Sequence, residues 1–397
     1  MESIHVVVMG GGYGGIRAIE RLIKNSSINV TLIDKNPYHY MQAEVYEFIA
    51  NRVDMSHVII DLPSLCKSFA SVRFICEKVT SIDPMKNQIE TTMQTLNYDY
   101  LVIATGSKTY FPDFIPGLRE HTHGVKNIPA ALDFKQRFEK ALLNRIESQS
   151  KGCDIKPFNI VIGGAGLSGV EITAEMAAYA NQFYKNGNFG CLGVNVYLID
   201  AYESILYGMD TFLIQCAYER LSALGVHIWH NNRIKEVQKN QIILDNGKTL
   251  PFEFMIFTGG ISGPSLTRHL GFEINTKGHL IIDEALNISG YTNIFAIGDI
   301  AQIIDHDKKP LPPTAQLAER SGEHAALNIF RSIKNKPKLP FKYKNGGVMI
   351  ALGGEYGAGI LPGGIKVKGY LAYLIKKAIF WFYTTPLRRR TAIGKRR

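Results

Sequence analysis

At 397 residues, with 46% apolar and 20% charged side chains, the chain exceeds one ordinary core and suits two or three globular domains. Its net charge of +10 would suggest a nucleic-acid partner, but ten of the 45 Lys and Arg fall between Lys366 and Arg397, a stretch without Asp or Glu. The rest carries 35 charges of each sign, so the excess belongs to the tail and argues against a body that binds nucleic acid.

Five widely spaced cysteines, Cys66, Cys76, Cys153, Cys191 and Cys216, include no CxxC or CxxxxC pair. That fits a reducing compartment and argues against a metal site or a redox disulphide. Met1 leads directly towards a strand and a glycine turn, without a cationic-then-apolar leader, so a cytosolic body is expected.

In chain order, IHVVVM at 4–9 has the apolar, β-branched character of a buried parallel strand, and GGGYGG follows it into a helical stretch. Gly10, Gly12 and Gly15 give the GxGxxG spacing: a tight turn, room for a pyrophosphate and close helix–strand packing. VTLID then predicts a second strand ending at Asp34, placed to accept a ribose hydroxyl. The unit recurs in FNIVIGGAGLSGVE, with Gly164, Gly166 and Gly169, and a strand VNVYLID ending at Asp200 after a longer interval. Each half returns through a small-residue strand end. Thr105 lies 95 positions after Gly10, and Thr258 lies 94 after Gly164, which points to a duplicated architecture.

Two dinucleotide sites in one chain suit a flavin and a nicotinamide. NIFAIGD, at 293–299, closes a strand on Gly298 and Asp299, where two-domain flavoproteins can hold the FAD ribitol chain. The glycine turn inserted before it is then the NADH site, with Asp200 disfavouring a 2′-phosphate. The expected fold is α/β with two Rossmann-like domains. The FAD domain spans 1–120 and 290–340, the NADH domain 121–289, and a C-terminal membrane-anchoring segment 341–397.

With GGGYGG, ATG, GGAGLSG and AIGD in place, the chain resembles the FAD-dependent pyridine nucleotide-disulphide oxidoreductase superfamily. Within it, the chain is similar to the type II, non-proton-pumping NADH dehydrogenases. That likeness is carried by NPYHYMQAEVYEFIA, GLSGVE, PPTAQLAERSGEHAA and FKYKNGGVMIALGG. It implies FAD contacts from Tyr13, Gly14, Lys35, Val79, Ala104, Thr105, Gly106, Ala315 and Gln316, besides the motif glycines and acids. For NADH it implies Leu167, Glu171, Gly259 and Gly260 with Thr258. The implied reaction passes a hydride from NADH to FAD and two electrons to a membrane quinone, on the cytoplasmic face of the cell membrane; a homodimer is left open.

Glu171 stands in a first helical turn, where the helix dipole favours a carboxylate, and also where the family has a glutamate near the nicotinamide. Gln316, after Pro312, Pro313 and Thr314, suits either a solvated position behind a Thr314 cap or a contact on the quinone side of the flavin. The family's second glutamine, four residues on, is absent, and Glu319 is the expected polar substitute. His39 reads as a packed loop residue, and no histidine shows a metal-ligand pattern.

A sulfide:quinone oxidoreductase would need a cysteine in the C-terminal third, but the last is Cys216. Another FAD/NAD(P)H oxidoreductase with a different acceptor and, below it, a non-enzymatic redox-sensing flavoprotein stay as alternatives. The ending YLAYLIKKAIFWFYTTPLRRR has an apolar run too short and too charged to span a bilayer. Leu371, Leu374, Ile375, Ala378, Ile379 and Phe382 share one helical face, Lys376, Lys377 and Thr384 lie off it, and Pro386 is expected to end the helix. Either a core helix or a helix lying on an anionic membrane surface fits, and only the second accounts for the cations of residues 366–397. Deleting them is then expected to release the protein from vesicles and leave FAD in place.

Overall fold

The computed structural model describes residues 3–150, 158–187, 193–305 and 308–396; Cys153 and Cys191 lie outside them. The predicted duplication is built strand by strand. One parallel sheet has the order Ile294–Ala296, Tyr100–Ile103, Ile4–Met9, Ile28–Asp34, Val72–Cys76. A second has the order Phe254–Phe257, Phe158–Gly163, Val194–Ile199, His227–Trp229, again all parallel. The central strands Ile4–Met9 and Phe158–Gly163 are buried along nearly their whole length, as strands covered on both faces must be.

Each half also carries an antiparallel three-stranded meander. Val79–Asp83, Gln88–Thr91 and Thr95–Asn97 form the first; Ile234–Gln238, Gln241–Leu244 and Thr249–Pro251 form the second. Both shift register after the first residue of their opening strand. The two chain crossings between halves pair with each other, Lys108–Thr109 against Ile261–Ser262. This strand pair joins the halves at the base of a shared cleft.

Residues beyond the second passage divide differently from a simple anchor. Ala315–Ile333 is a helix packed on the first glycine helix, Tyr13–Leu22. A Cβ on Gly322 would lie 2.2 Å from Gly14 O, so only glycine permits that approach. Val348–Ala351, Gly357–Ile360 and Lys366–Gly369 form an antiparallel sheet, whose first strand lies on the second glycine helix, Leu167–Gly187. A long helix, Tyr370–Arg396, then closes the molecule.

That last helix corrects two expectations. It runs through Pro386 instead of ending there; Pro386 is exposed, where loss of one backbone hydrogen bond is tolerated best. Thr384, Leu387, Thr391 and Gly394 face inward, while Leu371, Leu374, Ile379, Trp381 and Phe382 are exposed. The two lysines in mid-run turn towards the protein. The tail cations are also not all uncompensated. Lys366 pairs with Asp210 at 3.2 Å, Lys368 with Glu219 at 3.6 Å, Lys376 with Glu171 and Lys377 with Glu47, so acids from the body meet four of them.

Candidate functional site

The two glycine turns are nearly the same object. Gly10 and Gly164 have φ of +102° and +106°, the region that favours glycine, and each donates its N–H to the neighbouring strand, at Ile33 O and Ile199 O respectively, both 2.8 Å. A Cβ on Gly15 would stand 1.9 Å from Gly10 O, and one on Gly169 1.8 Å from Gly164 O, so turn and helix pack backbone to backbone. The middle glycines differ from both. Around Gly12 and Gly166 nothing lies within 4 Å of a would-be Cβ. Each turn therefore leaves open, at a helix N-terminus, the space that a pyrophosphate needs. The residues present fit a dinucleotide at both places.

The strand-end acids hold these turns. Asp34 accepts from Gly11 N and Asn36 N, both at 2.8 Å; Asp200 accepts from Ala165 N and, at 2.8 Å, from Tyr202 N. Burial raises the Asp34 pKa, against the two N–H bonds that favour its charge. Asp34 ends its strand opposite Cys76 with the exposed Lys35 next in the chain, while Val79 opens the first meander with its side chain in the core; none of the three is part of the cleft lining. Ala104 N bonds Met9 O at 2.7 Å and Thr258 N bonds Gly163 O at 2.8 Å, so the returning strands brace the turns in the same way. Gly259 packs against the ring of Phe257.

Both turns open on one cleft of about 1940 Å³. Of the residues the sequence singled out, Gly12, Tyr13, Gly14, Ala104 and Gly106 line it from the first half. Leu167, Glu171, Thr258 and Gly260 line it from the second, and Gly298, Asp299, Ala315, Gln316 and Glu319 from the third passage. Gly10, Gly15, Thr105, Gly164, Gly166, Gly169, Asp200 and Gly259 support the wall without being part of it.

Several contacts in the wall were not predicted. Asp299 accepts from Ser107 Oγ at 2.9 Å and meets Lys126 Nζ at 3.4 Å, so its charge is compensated from the crossing segment. Thr314 does cap its helix, accepting from Leu317 N at 3.1 Å, while Gln316 points into the cleft with its Oε1 held by Tyr343 O–H at 2.7 Å. Cap and cleft contact are thus compatible. Glu319 is engaged by Arg17 at 2.8 Å, and the residue four after Gln316 is Arg320, which also lines the cleft. The sequence signal for Arg320 was the spacing itself.

Tyr13 is half-buried at the first turn, its ring 4.8 Å from His39 and 5.0 Å from Tyr383 of the last helix. Tyr383 O–H lies 3.0 Å from His39 Nε2. Burial pushes the His39 pKa down to about 3, so it stays neutral, in line with a packed residue. Glu171 accepts from Ala351 N at 3.0 Å and from Lys376. Burial opposes the Lys376 charge, but Glu171 and Glu44 outweigh it and raise its pKa. No sequence pattern links these partners, which come together only in the fold. Among the described residues no cluster of His, Cys, Asp and Glu could hold a metal ion, and no cysteine lines the cleft.

Residues 4–322 match the family described as pyridine nucleotide-disulphide oxidoreductase. The chain belongs to that family. It is an oxidoreductase with the two-dinucleotide α/β fold of the group. Curated relatives called type II NADH:quinone oxidoreductase include one from Staphylococcus epidermidis, 29% identical over 94% of this chain and 93% of the relative. Another, from Staphylococcus aureus, is 28% identical over the same shares. Among solved structures, NDH2 from Plasmodium falciparum in complex with NADH superposes with TM-score 0.85 at 19% identity, covering 99% of this chain and 97% of that one. The sulfide:quinone oxidoreductase of Aquifex aeolicus gives 0.80 at 23% identity over 98% and 92%.

Proposed function

We propose that this oxidoreductase transfers reducing equivalents from NADH to a membrane quinone through bound FAD, without proton translocation. The observation that carries the reading is the pair of open glycine turns facing one cleft, closed by the Gln316 helix and the C-terminal helix. Residues 1–120 and 290–340 form the FAD domain in this reading, 121–289 the NADH domain, and 341–397 a cap and anchor. FAD, when bound, supplies the chemistry of accepting a hydride and passing on electrons. The first turn, Gly10–Gly15 with Asp34, Lys35 and Val79, binds its adenosine end, and Ala104–Gly106, Gly298, Asp299 and Ala315 its remainder. The second turn, Gly164–Gly169 with Leu167, Asp200 and Thr258–Gly260, binds NADH.

The protein's part is to bind, orient and exclude water. Tyr343 fixes the Gln316 side chain in the cleft, and Glu171, tied to Lys376 and Ala351 N, presents a fixed carboxylate at the floor. The quinone names of the curated relatives support the acceptor, and the absence of cysteine from the described cleft wall weighs against a sulfur relay. The test is stopped-flow bleaching of the flavin by NADH, then reoxidation by a soluble quinone analogue, in wild type and Gln316→Ala. Turnover in the wild type and slowed reoxidation in the variant are expected. Wild-type protein that NADH bleaches but quinone never reoxidises sinks the reading.

We place the enzyme on the cytoplasmic face of an anionic membrane. No helix among the described residues is long and apolar enough to cross one. Support comes from the last helix: its first half exposes Leu371, Leu374, Trp381 and Phe382, and its second half exposes Arg388, Arg389 and Arg390. Deletion is not the clean test that the sequence suggested, because Leu387 is buried in the FAD-half core and Tyr383 packs on Tyr13. The combined change Leu371→Ser, Leu374→Ser and Trp381→Ser should keep flavin and lose sedimentation with anionic vesicles. Unaltered sedimentation would remove the anchor.

A further inference from the structure

Beneath the cleft floor seven ionisable side chains from four separate segments pack together. Glu44 and Glu47 come from the stretch after the first half's second strand, Arg52 from the following turn, Glu171 and Glu175 from the second glycine helix, and Lys376 and Lys377 from the last helix. Tyr13 and Tyr46 face the same group. Four carboxyls thus meet three cations. Fully ionised, the cluster would bury one uncompensated negative charge, with Glu44 only 3% and Glu175 1% exposed. Such a charge is removed by taking up a proton.

The geometry says which carboxyl takes it. Glu47 holds the Lys377 ammonium with both oxygens, Glu171 holds Lys376, and Glu175 accepts from Arg52 Nε at 3.1 Å and from Gly354 N. Among the described residues Glu44 has only the Tyr46 hydroxyl, at 3.3 Å, and its one ion-pair partner is Lys377, 3.8 Å away. Burial, with Lys376 and Lys377 opposing it, pushes the Glu44 pKa up to about 7. Glu175 is raised similarly, but it is fixed to Arg52 and lies outside the cleft, whereas Glu44 lines it.

We propose that Glu44 is a proton donor to the acceptor, holding a proton in the cleft between turnovers. The proposal rests on the quinone reading. Reducing a quinone to its quinol takes two electrons and two protons. A hydride from NADH carries both electrons and one hydrogen nucleus, so one further proton per turnover comes from solvent. The Glu44 carboxyl O–H bond breaks, its proton goes to an acceptor oxygen, and the carboxylate left behind is stabilised by Lys376 and Lys377. A proton from solvent restores the carboxyl once the product leaves.

Two measurements on the FAD-loaded full chain test this, each on wild type, Glu44→Gln and Glu175→Gln. In the first, infrared difference spectra are taken without NADH or quinone while pH is stepped from about 5 to about 9. A protonated-carboxyl band lost around pH 7 is expected in wild type, with Glu44→Gln and Glu175→Gln each removing its own part of the amplitude; a band of full wild-type amplitude in Glu44→Gln overturns the proposal. The second follows reoxidation of NADH-reduced protein by a soluble quinone and by ferricyanide, a one-electron acceptor that takes no proton. Glu44→Gln should slow the quinone reaction about a hundredfold and leave the ferricyanide reaction unchanged, with Glu175→Gln matching wild type in both. Equal effects on the two acceptors would show a structural role and overturn the donor role. Wild-type protein that quinone cannot reoxidise overturns the quinone reading and the donor role with it, and is told apart because no substitution is needed to see it.

Discussion

The two glycine turns share their φ angles, backbone approaches and acid braces, yet their surroundings differ. The first is covered: the half-buried Tyr13 ring packs on His39 and Tyr383, the latter from the last helix. The second opens outward beside Tyr202 and Tyr207, a stacked pair with centroids 4.7 Å apart and both rings more than half exposed. One backbone device has been placed in an enclosed and an open setting. Enclosure suits a resident group and openness an exchanging one, so what surrounds a turn, more than the turn itself, divides the roles.

The strongest way to break this comparison is to close one turn at a time. Gly15→Ala and Gly169→Ala each place a Cβ within 2 Å of a backbone oxygen, and each should destabilise its half by about 3 kcal/mol or more. If the roles divide as proposed, Gly15→Ala loses bound flavin, while Gly169→Ala keeps its flavin absorbance and is no longer bleached by NADH. Loss of flavin from both variants alike would erase the distinction.

The floor between the turns makes a prediction of similar size that depends on pH. Glu44 and Glu175 ionise near the ordinary 4.5 when unfolded but only at about 7 in the fold. Between those values the folded chain binds more protons than the unfolded one, so stability falls as pH rises from 4.5 to about 7 and then levels. Linkage sets the loss at about 3 kcal/mol per carboxyl. Denaturant midpoints at pH 5 and pH 8 measure it, and Glu44→Gln and Glu175→Gln should each remove one share. A midpoint that climbs over this interval would contradict the buried excess of acid.

A smaller effect sharpens the enclosed side. Tyr383→Phe leaves His39 Nε2 without its partner and should lower stability by about 1 kcal/mol, with flavin retained. Comparison of thermal melts with and without added FAD gives both numbers.

The turns were legible because their chemistry is local. A strand, a glycine at positive φ, an open middle glycine and an acid at the next strand end are fixed by backbone sterics within about forty residues of sequence, and the repeat in spacing announced the second copy. Gln316 was legible for the same reason, standing at a capped helix start. Glu44 was in plain view but carried no pattern, because its role depends on partners far along the chain. The last helix misled for the opposite reason. Its apolar face was read correctly, but the cations of the tail looked uncompensated, since the acids that meet four of them are supplied by distant segments.

The sequence alone determined the duplicated architecture, the two dinucleotide turns and the apolar face of the last helix, all set by interactions between near neighbours and by helical or strand periodicity. Only the tertiary structure decided that Lys376 and Lys377 point inward, that the helix continues past Pro386, and that four carboxyls share three cations beneath the cleft. Buried charges must find compensation wherever the fold brings it, and that constraint acts through space, where spacing along the chain gives no measure of distance.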